Sequence, residues 1–176
     1  KLKRLIEGKL AQLLKLNSSR ADFAEKFQKL IDEYNAGSKN IEEFFADLKE
    51  TAHALTAEER RHVLANLSEE ELAVFDIITR PAPELTKKEE EAVKKVCRDL
   101  VATLKREKLV LDWREKQQAR AGVMQTIRLA LRPPHLPESF DRDLRAEKLA
   151  LTYAHVYDHY FGSGDSAYCT PAQRDR

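Results

Sequence analysis

Apolar residues recur at helical spacing along nearly the whole chain, and this repeat limits the fold more than any other feature of the sequence. One stretch places them four, three, one and three positions apart: Phe23, Phe27, Leu30, Ile31 and Tyr34. That spacing is typical of an amphipathic helix with one buried face. Further stripes at this spacing cover 1–16, 41–67, 69–79, 87–106 and 138–160. The sequence therefore predicts an all-α fold, a helical bundle of about seven helices with short loops.

Several helix ends carry their own signals. Asn40, Ser68 and Thr86 are each followed three residues later by a glutamate, as in a capping box. Gly37 stands where the second helix needs a left-handed residue to end. Prolines 81 and 83 stop the helix 69–79, which makes 80–85 the expected subdivision of a helical domain spanning 1–161. The polar residues 162–176 are expected to form a C-terminal tail.

The stretch 108–132 contains the only Trp and the only Met of the chain. It opens with the one strand-like run, 109–111, which we interpret as a buried connection. Asp112 is a good N-cap residue and predicts that a helix starts directly after it. Trp113 falls on the apolar stripe of this helix, so we expect it to be buried against the neighbouring helices.

Lys116 and Arg120 project from the apolar side of the same predicted helix. A charge on such a face must be paired, or it must lie over apolar surface with its head in water. One interpretation is an ion pair with a carboxylate of a neighbouring helix, and we expect this for Arg120. The other is that this face meets a partner protein.

The charge balance excludes a strong overall attraction to nucleic acid or membrane, because the formal net charge is only +1. The distribution is uneven: Arg98–Arg132 has nine basic and four acidic residues, whereas Glu33–Glu91 has seven basic and fifteen acidic residues. Arg114, Arg128 and Arg132 lie on the polar face of the basic helix and are the candidate DNA contacts. Such arginines are commonly a solvated face, and the interleaved aromatics of single-strand binders are absent.

The sequence offers no catalytic, cofactor or metal site. It has no phosphate-binding glycine loop and no GxSxG or CxxC motif. His155 and His159 have the spacing of zinc ligands, but no third ligand can be assigned. We therefore interpret them as two polar residues at the end of a Tyr-rich helix. Cys97 and Cys169 do not make a disulfide framework, which indicates a reducing cytoplasm. No apolar run reaches the roughly 18 residues of a membrane span.

Five blocks of the sequence resemble one family. They fall in the family's order and spacing: Asp22–Phe45, Leu67–Thr79, Leu85–Val96, Lys108–Ala121 and Tyr153–Gly162. The most specific is DWREKQQARA, within the fourth block. Together they are similar to the C-terminal region of the R subunit, the restriction subunit, of type I restriction–modification enzymes.

The resemblance implies a role without chemistry for this part of the subunit. The family's nuclease and ATP-dependent motor, with their ATP and Mg²⁺, lie earlier in the R subunit, so the parent would be an ATP-dependent type I site-specific endodeoxyribonuclease. The C-terminal region is expected to dock that subunit onto the methyltransferase core of modification and specificity subunits. The alternative is a module that guides translocated duplex DNA by its basic helix.

The two roles need different surfaces. For docking, an apolar patch with aromatic or Arg anchors is required. The candidates are Lys116, Arg120, Phe140, Tyr153, Tyr157, Tyr160 and Phe161. Because specific DNA-binding modules are more basic than this chain, we expect only weak, non-specific DNA contact.

Overall fold

A computed structural model describes residues 1–81 and 84–169, and the chain divides into two compact units, Lys1–Asn66 and Leu67–Arg176. The described residues form seven α-helices and one two-stranded sheet: α1 (Leu2–Leu16), α2 (Ala21–Asn35), α3 (Ile41–Leu64), α4 (Glu69–Thr79), α5 (Lys87–Thr103), α6 (Gln117–Ala130), α7 (Arg142–His159), β1 (Tyr160–Gly162) and β2 (Asp165–Ser166). The predicted all-α fold is confirmed. The expected subdivision at 80–85 lies inside the second unit, and residues 82 and 83 lie outside the described residues.

The first unit is a three-helix arrangement in which α1, α2 and α3 all contact one another. Its core is formed by apolar side chains from the three stripes: Ile6, Leu10, Leu13, Phe27, Leu30, Ile31, Leu48 and Leu55. A buried ion pair adds to this core, because Arg20 Nε lies 2.8 Å from Glu58 Oε1 and the two side chains are 1% and 9% exposed. Helix α3 runs without a break through Thr56.

The second unit packs α4, α5, α6 and α7 around a separate core. Trp113, Ile127 and Phe140 are among its fully buried side chains, so the expected burial of Trp113 is confirmed. The backbone of α5 continues into a π-helical turn, Leu104–Lys108. None of the helices in the described ranges 1–81 and 84–169 is long and apolar enough to cross a membrane.

The predicted caps form as the sequence indicates. Asn40, Ser68 and Thr86 each accept a hydrogen bond from the third helical residue, whose glutamate side chain bonds back to the cap. Gly37 ends α2 with a φ of +73°. Helix α7 begins later than expected, because Asp141 caps it by accepting a hydrogen bond from the backbone amide of Leu144 at 2.8 Å.

Two expectations about the second unit are wrong. Asp112 does not cap a helix: it has a φ of +57°, a left-handed conformation that Asp tolerates, and α6 starts only at Gln117. The run 109–111 is not a buried connection, since Leu109 is buried while Val110 and Leu111 are 49% and 62% exposed. Within the described part of the expected tail, β2 pairs antiparallel with β1.

Candidate functional site

An irregular turn joins α5 to α6, and we call residues 109–116 the connecting turn. It is held by local backbone bonds from Trp113 N to Val110 O at 3.2 Å and from Glu115 N to Asp112 O at 3.0 Å. The left-handed backbone at Asp112 reverses the chain there. As a result Leu109 and Trp113 point into the core, while the two residues between Leu109 and Asp112 remain exposed.

The hairpin of β1 and β2 lies directly on this turn. Trp113 Nε1 donates to the carbonyl of Tyr160 at 3.0 Å, and Ser163 N donates to the carbonyl of Leu109 at 2.9 Å. Gly162 permits the approach, because a β-carbon there would lie 2.6 Å from the Val110 carbonyl oxygen. The fourth and fifth sequence blocks therefore meet in space and fix each other's backbone.

Arg114 is the central charged side chain of this junction. Its guanidinium lies between two rings, with Cζ 5.1 Å from the Tyr157 centroid and 4.7 Å from that of Phe161. Its Nε donates to the Tyr160 carbonyl at 3.1 Å. Cation–π contacts and this hydrogen bond together restrict the side chain to one orientation.

The guanidinium nevertheless keeps unused donors. Nη2 of Arg114 is buried and has no hydrogen-bond acceptor among the described residues. Leaving a buried donor unpaired costs about 1–3 kcal/mol. The two rings beside it are 38% and 41% exposed, at Tyr157 and Phe161. These two rings, Arg114, and the exposed Val110 and Leu111 make up what we call the Arg114 surface.

Lys116 and Arg120 serve the connecting turn. Arg120 is half-buried and its Nη1 donates to the carbonyl of Arg114 at 2.6 Å, while the exposed Lys116 donates through Nζ to the carbonyl of Leu111 at 3.2 Å. The expected carboxylate partner of Arg120 is therefore wrong: within the described ranges Arg120 bonds to a backbone carbonyl instead. An irregular turn leaves carbonyls without helical partners, and these satisfy the two cations instead.

The predicted aromatic anchors separate into two groups. Phe140 is fully buried and Tyr160 is 3% exposed, so both belong to the core and a partner cannot reach their rings without opening it. Tyr153 is partly buried against the same core. Only Tyr157 and Phe161 present substantial ring surface. Sequence reasoning missed Val110 and Leu111, although two adjacent apolar residues directly before a turn-forming Asp are a recognisable signal.

The three candidate DNA contacts do not share one helix face. Arg114 precedes α6 and is half-buried between the two rings. Arg128 is exposed on α6, where its Nη1 donates to Gln125 Oε1 at 3.2 Å, and Arg132 is exposed just beyond the helix. Of the three candidate DNA contacts, Arg128 and Arg132 therefore remain as exposed arginines.

A polar cluster lies behind the hairpin. The Tyr160 hydroxyl donates to Glu70 at 2.7 Å, and Lys105 Nζ lies 2.6 Å from the other oxygen of that carboxylate. Burial, and then the Glu70 charge, raise the pKa of Tyr160, so its hydroxyl stays protonated as a donor. The cluster borders a recess of about 380 Å³. Tyr160, Lys105 and Glu70 pair with one another within the fold, so we assign the cluster a structural role.

The His155–His159 pair stacks with ring centroids 4.0 Å apart. His155 is buried and its Nε2 lies 2.8 Å from the Tyr168 hydroxyl. Burial, with a smaller contribution from His159, lowers the pKa of His155 to about 3, so the ring is neutral near pH 7. Across residues 1–81 and 84–169, no three His, Cys, Asp or Glu side chains come together as a metal site would require.

The comparisons with known proteins agree with the resemblance carried by the sequence blocks. The model of one family matches residues 1–155, and its description reads "Type I restriction enzyme HindI endonuclease subunit-like, C-terminal". A search of curated proteins and a search of solved structures each found no match.

Proposed function

This chain belongs to the family of C-terminal domains of type I restriction enzyme HindI endonuclease subunit-like proteins, and we propose that it is a non-catalytic assembly module of such a subunit. In this proposal it docks the ATP-dependent, DNA-translocating endonuclease subunit onto the methyltransferase core. That core consists of the modification and specificity subunits. ATP and Mg²⁺ belong to other parts of the endonuclease subunit.

The observation that carries the proposal is the Arg114 surface. Protein interfaces are enriched in aromatic side chains and arginine at their centres, where a few anchors supply most of the affinity. Tyr157, Phe161 and Arg114 are such anchors. Val110 and Leu111, four and three residues before Arg114 in the connecting turn, add exposed aliphatic side chains. The backbone beneath them is fixed by long-range hydrogen bonds, so little ordering is required when a partner binds.

A second candidate function is guidance of translocated duplex by the basic helix. Exposure of Arg128 and Arg132 favours it. Against it stand the low net charge of +1 and the exposed carboxylates of Asp112 and Glu115 within the connecting turn. Binding dominated by phosphate contacts needs a basic stripe. We therefore place docking first and expect only weak, non-specific affinity for DNA.

The proposal is tested by titrating the purified chain against two probes at physiological salt. One probe is the methyltransferase core, assembled from modification and specificity subunits of the same system, and the other is a mixed-sequence duplex. We expect saturable binding to the core and weak binding to the duplex that disappears as salt is raised. Tight duplex binding without binding to the core would replace docking with the DNA-guiding role.

The titration should use point variants rather than a shortened chain. Truncation after Leu151 would remove Val156 and Tyr160 from the core of the second unit, so loss of binding would report unfolding. Leu111 and Phe161 are 62% and 41% exposed and can be replaced without opening that core.

A further inference from the structure

We propose that Arg114 is the anchor of the docking contact and that it receives a single carboxylate from the partner protein. In this arrangement an apolar side chain next to that carboxylate packs on Leu111 and Phe161. The inference rests on the proposed function, because it takes the methyltransferase core as the partner. It goes further by naming the chemistry that recognises the Arg114 surface.

The guanidinium of Arg114 is held in one orientation. Arg114 Nε is already used by the Tyr160 carbonyl at 3.1 Å, and its Cζ lies over the Tyr157 and Phe161 rings. Nη2 is buried without an acceptor among the described residues, and Nη1 makes no bond to them either, so Nη1 is the donor that a partner can reach. A charged donor held in one orientation is suited to binding a carboxylate oxygen.

The surroundings of Arg114 favour a protein partner over a nucleic acid. Val110 and Leu111 are 49% and 62% exposed and offer apolar contact that a phosphodiester backbone does not use. Asp112 and Glu115 are exposed on either side of Arg114 in sequence, and Asp158 is exposed next to Tyr157. A duplex carries a charge about every 1.7 Å and would meet these carboxylates. A single carboxylate brings one negative charge to Arg114, whereas a duplex brings a row of them past these acidic side chains.

Hydrogen bonds beneath Arg114 keep the site in place before a partner binds. Arg120 donates to the Arg114 carbonyl at 2.6 Å, and Trp113 donates to the same Tyr160 carbonyl that Arg114 uses. The backbone of Arg114 is thus held to α6, and its neighbour Trp113 is held to β1. Pre-organisation of this kind lowers the entropy lost on association.

The test compares variants of the chain for binding to the methyltransferase core by isothermal titration calorimetry. Arg114→Gln removes the charge and should weaken binding about 10–100-fold. Arg114→Lys keeps the charge but lacks the planar guanidinium that lies over the two rings, so it should recover only part of this loss. Arg128→Gln is the matched control, an exposed arginine outside the Arg114 surface, and should bind like wild type.

A second variant separates docking from folding. Leu111→Glu places a carboxylate three residues before Arg114 in the connecting turn, at a position that is 62% exposed, so the fold should be unchanged and the introduced acid should weaken binding of an acidic partner group. Trp113 emission and the unfolding midpoint confirm that each variant is folded. Weaker core binding by folded Leu111→Glu and by Arg114→Gln supports the inference.

Three results overturn it, and they differ from one another. If the wild-type chain binds the core and the Arg114 and Leu111 variants bind equally well, docking stands but its anchor lies elsewhere. If Arg114→Gln lowers duplex binding and leaves binding to the methyltransferase core intact, the guanidinium binds a DNA phosphate rather than a protein carboxylate. If the wild-type chain does not bind the core at all, the proposed function fails and the anchor assignment fails with it.

Discussion

Replacing Gly162 by alanine tests how closely the hairpin lies on the connecting turn. A β-carbon at this position comes 2.6 Å from the Val110 carbonyl oxygen and 3.3 Å from Trp113 Cδ1, and φ is +108°. The backbone conformation disfavours any side chain by about 1–2 kcal/mol. Overlap with a backbone oxygen adds about 1–3 kcal/mol, because the turn must shift and disturb Trp113. We therefore expect the second unit to lose about 2–5 kcal/mol of stability.

Gly164→Ala is the matched control. Gly164 has a φ of +85° and nothing lies within 4 Å of an added β-carbon, so this variant tests the backbone conformation without the contact. It should lose only about 1–2 kcal/mol. The difference between the two variants then measures the close approach of β1 to Val110.

Urea denaturation followed by Trp fluorescence is the appropriate assay. Trp113 is the only Trp of the chain and is fully buried in the second unit, so its emission reports unfolding of that unit. Circular dichroism of the whole chain gives the helix content of each variant. Equal losses for the two alanine variants, or wild-type stability for Gly162→Ala, would refute the placement of the hairpin on the turn.

Three further variants test other parts of the fold. Trp113→Ala should cost about 3–5 kcal/mol, and wild-type emission should be that of a buried indole; emission typical of a water-exposed indole would contradict this. Glu58→Ala should cost about 3–5 kcal/mol because it leaves the charge of the buried Arg20 without this carboxylate, and a loss under about 1 kcal/mol in thermal unfolding would argue against the pair. In the unfolded chain His155 takes up a proton below its ordinary pKa of 6.5, whereas in the folded protein the lowered pKa of about 3 keeps the ring neutral until that pH. Stability should thus be full above pH 6.5 and fall by up to tenfold in the equilibrium constant per pH unit below it. His155→Gln should remove one proton from that dependence, and an unchanged slope would show that this ring does not titrate as expected.

The sequence predicts the features that depend on near neighbours. The capping boxes at Asn40, Ser68 and Thr86 involve residues three positions apart, so their signal is complete within one helical turn. The burial of Trp113 follows equally from its size and apolar character. The helical stripes similarly locate both cores.

The features that the sequence did not predict depend on long-range contacts. Asp112 suits both a helix N-cap and a left-handed turn, so the residue type alone does not decide between them. In the structure the turn occurs together with a hydrogen bond from Trp113 to the carbonyl of Tyr160, 47 residues away in the sequence. The Arg120 guanidinium does have a partner, as a charge on an apolar helix face requires. That partner is the Arg114 carbonyl, which is free to accept the bond because the irregular turn leaves it without a helical partner. The hairpin at Gly162 likewise packs on the connecting turn, a contact that is not visible in the sequence. Polar composition alone therefore predicts a tail for the residues after position 161.

The central claim is that this domain attaches the endonuclease subunit to the methyltransferase core, and sedimentation velocity of the endonuclease subunit mixed with that core tests it most directly. Three forms of the subunit should be compared: intact, carrying Arg114→Gln, and lacking this domain. We expect the intact subunit to sediment with the core, the variant to require a higher concentration, and the shortened subunit to sediment separately. Assembly of the shortened subunit at the same concentration as the intact one would contradict the account.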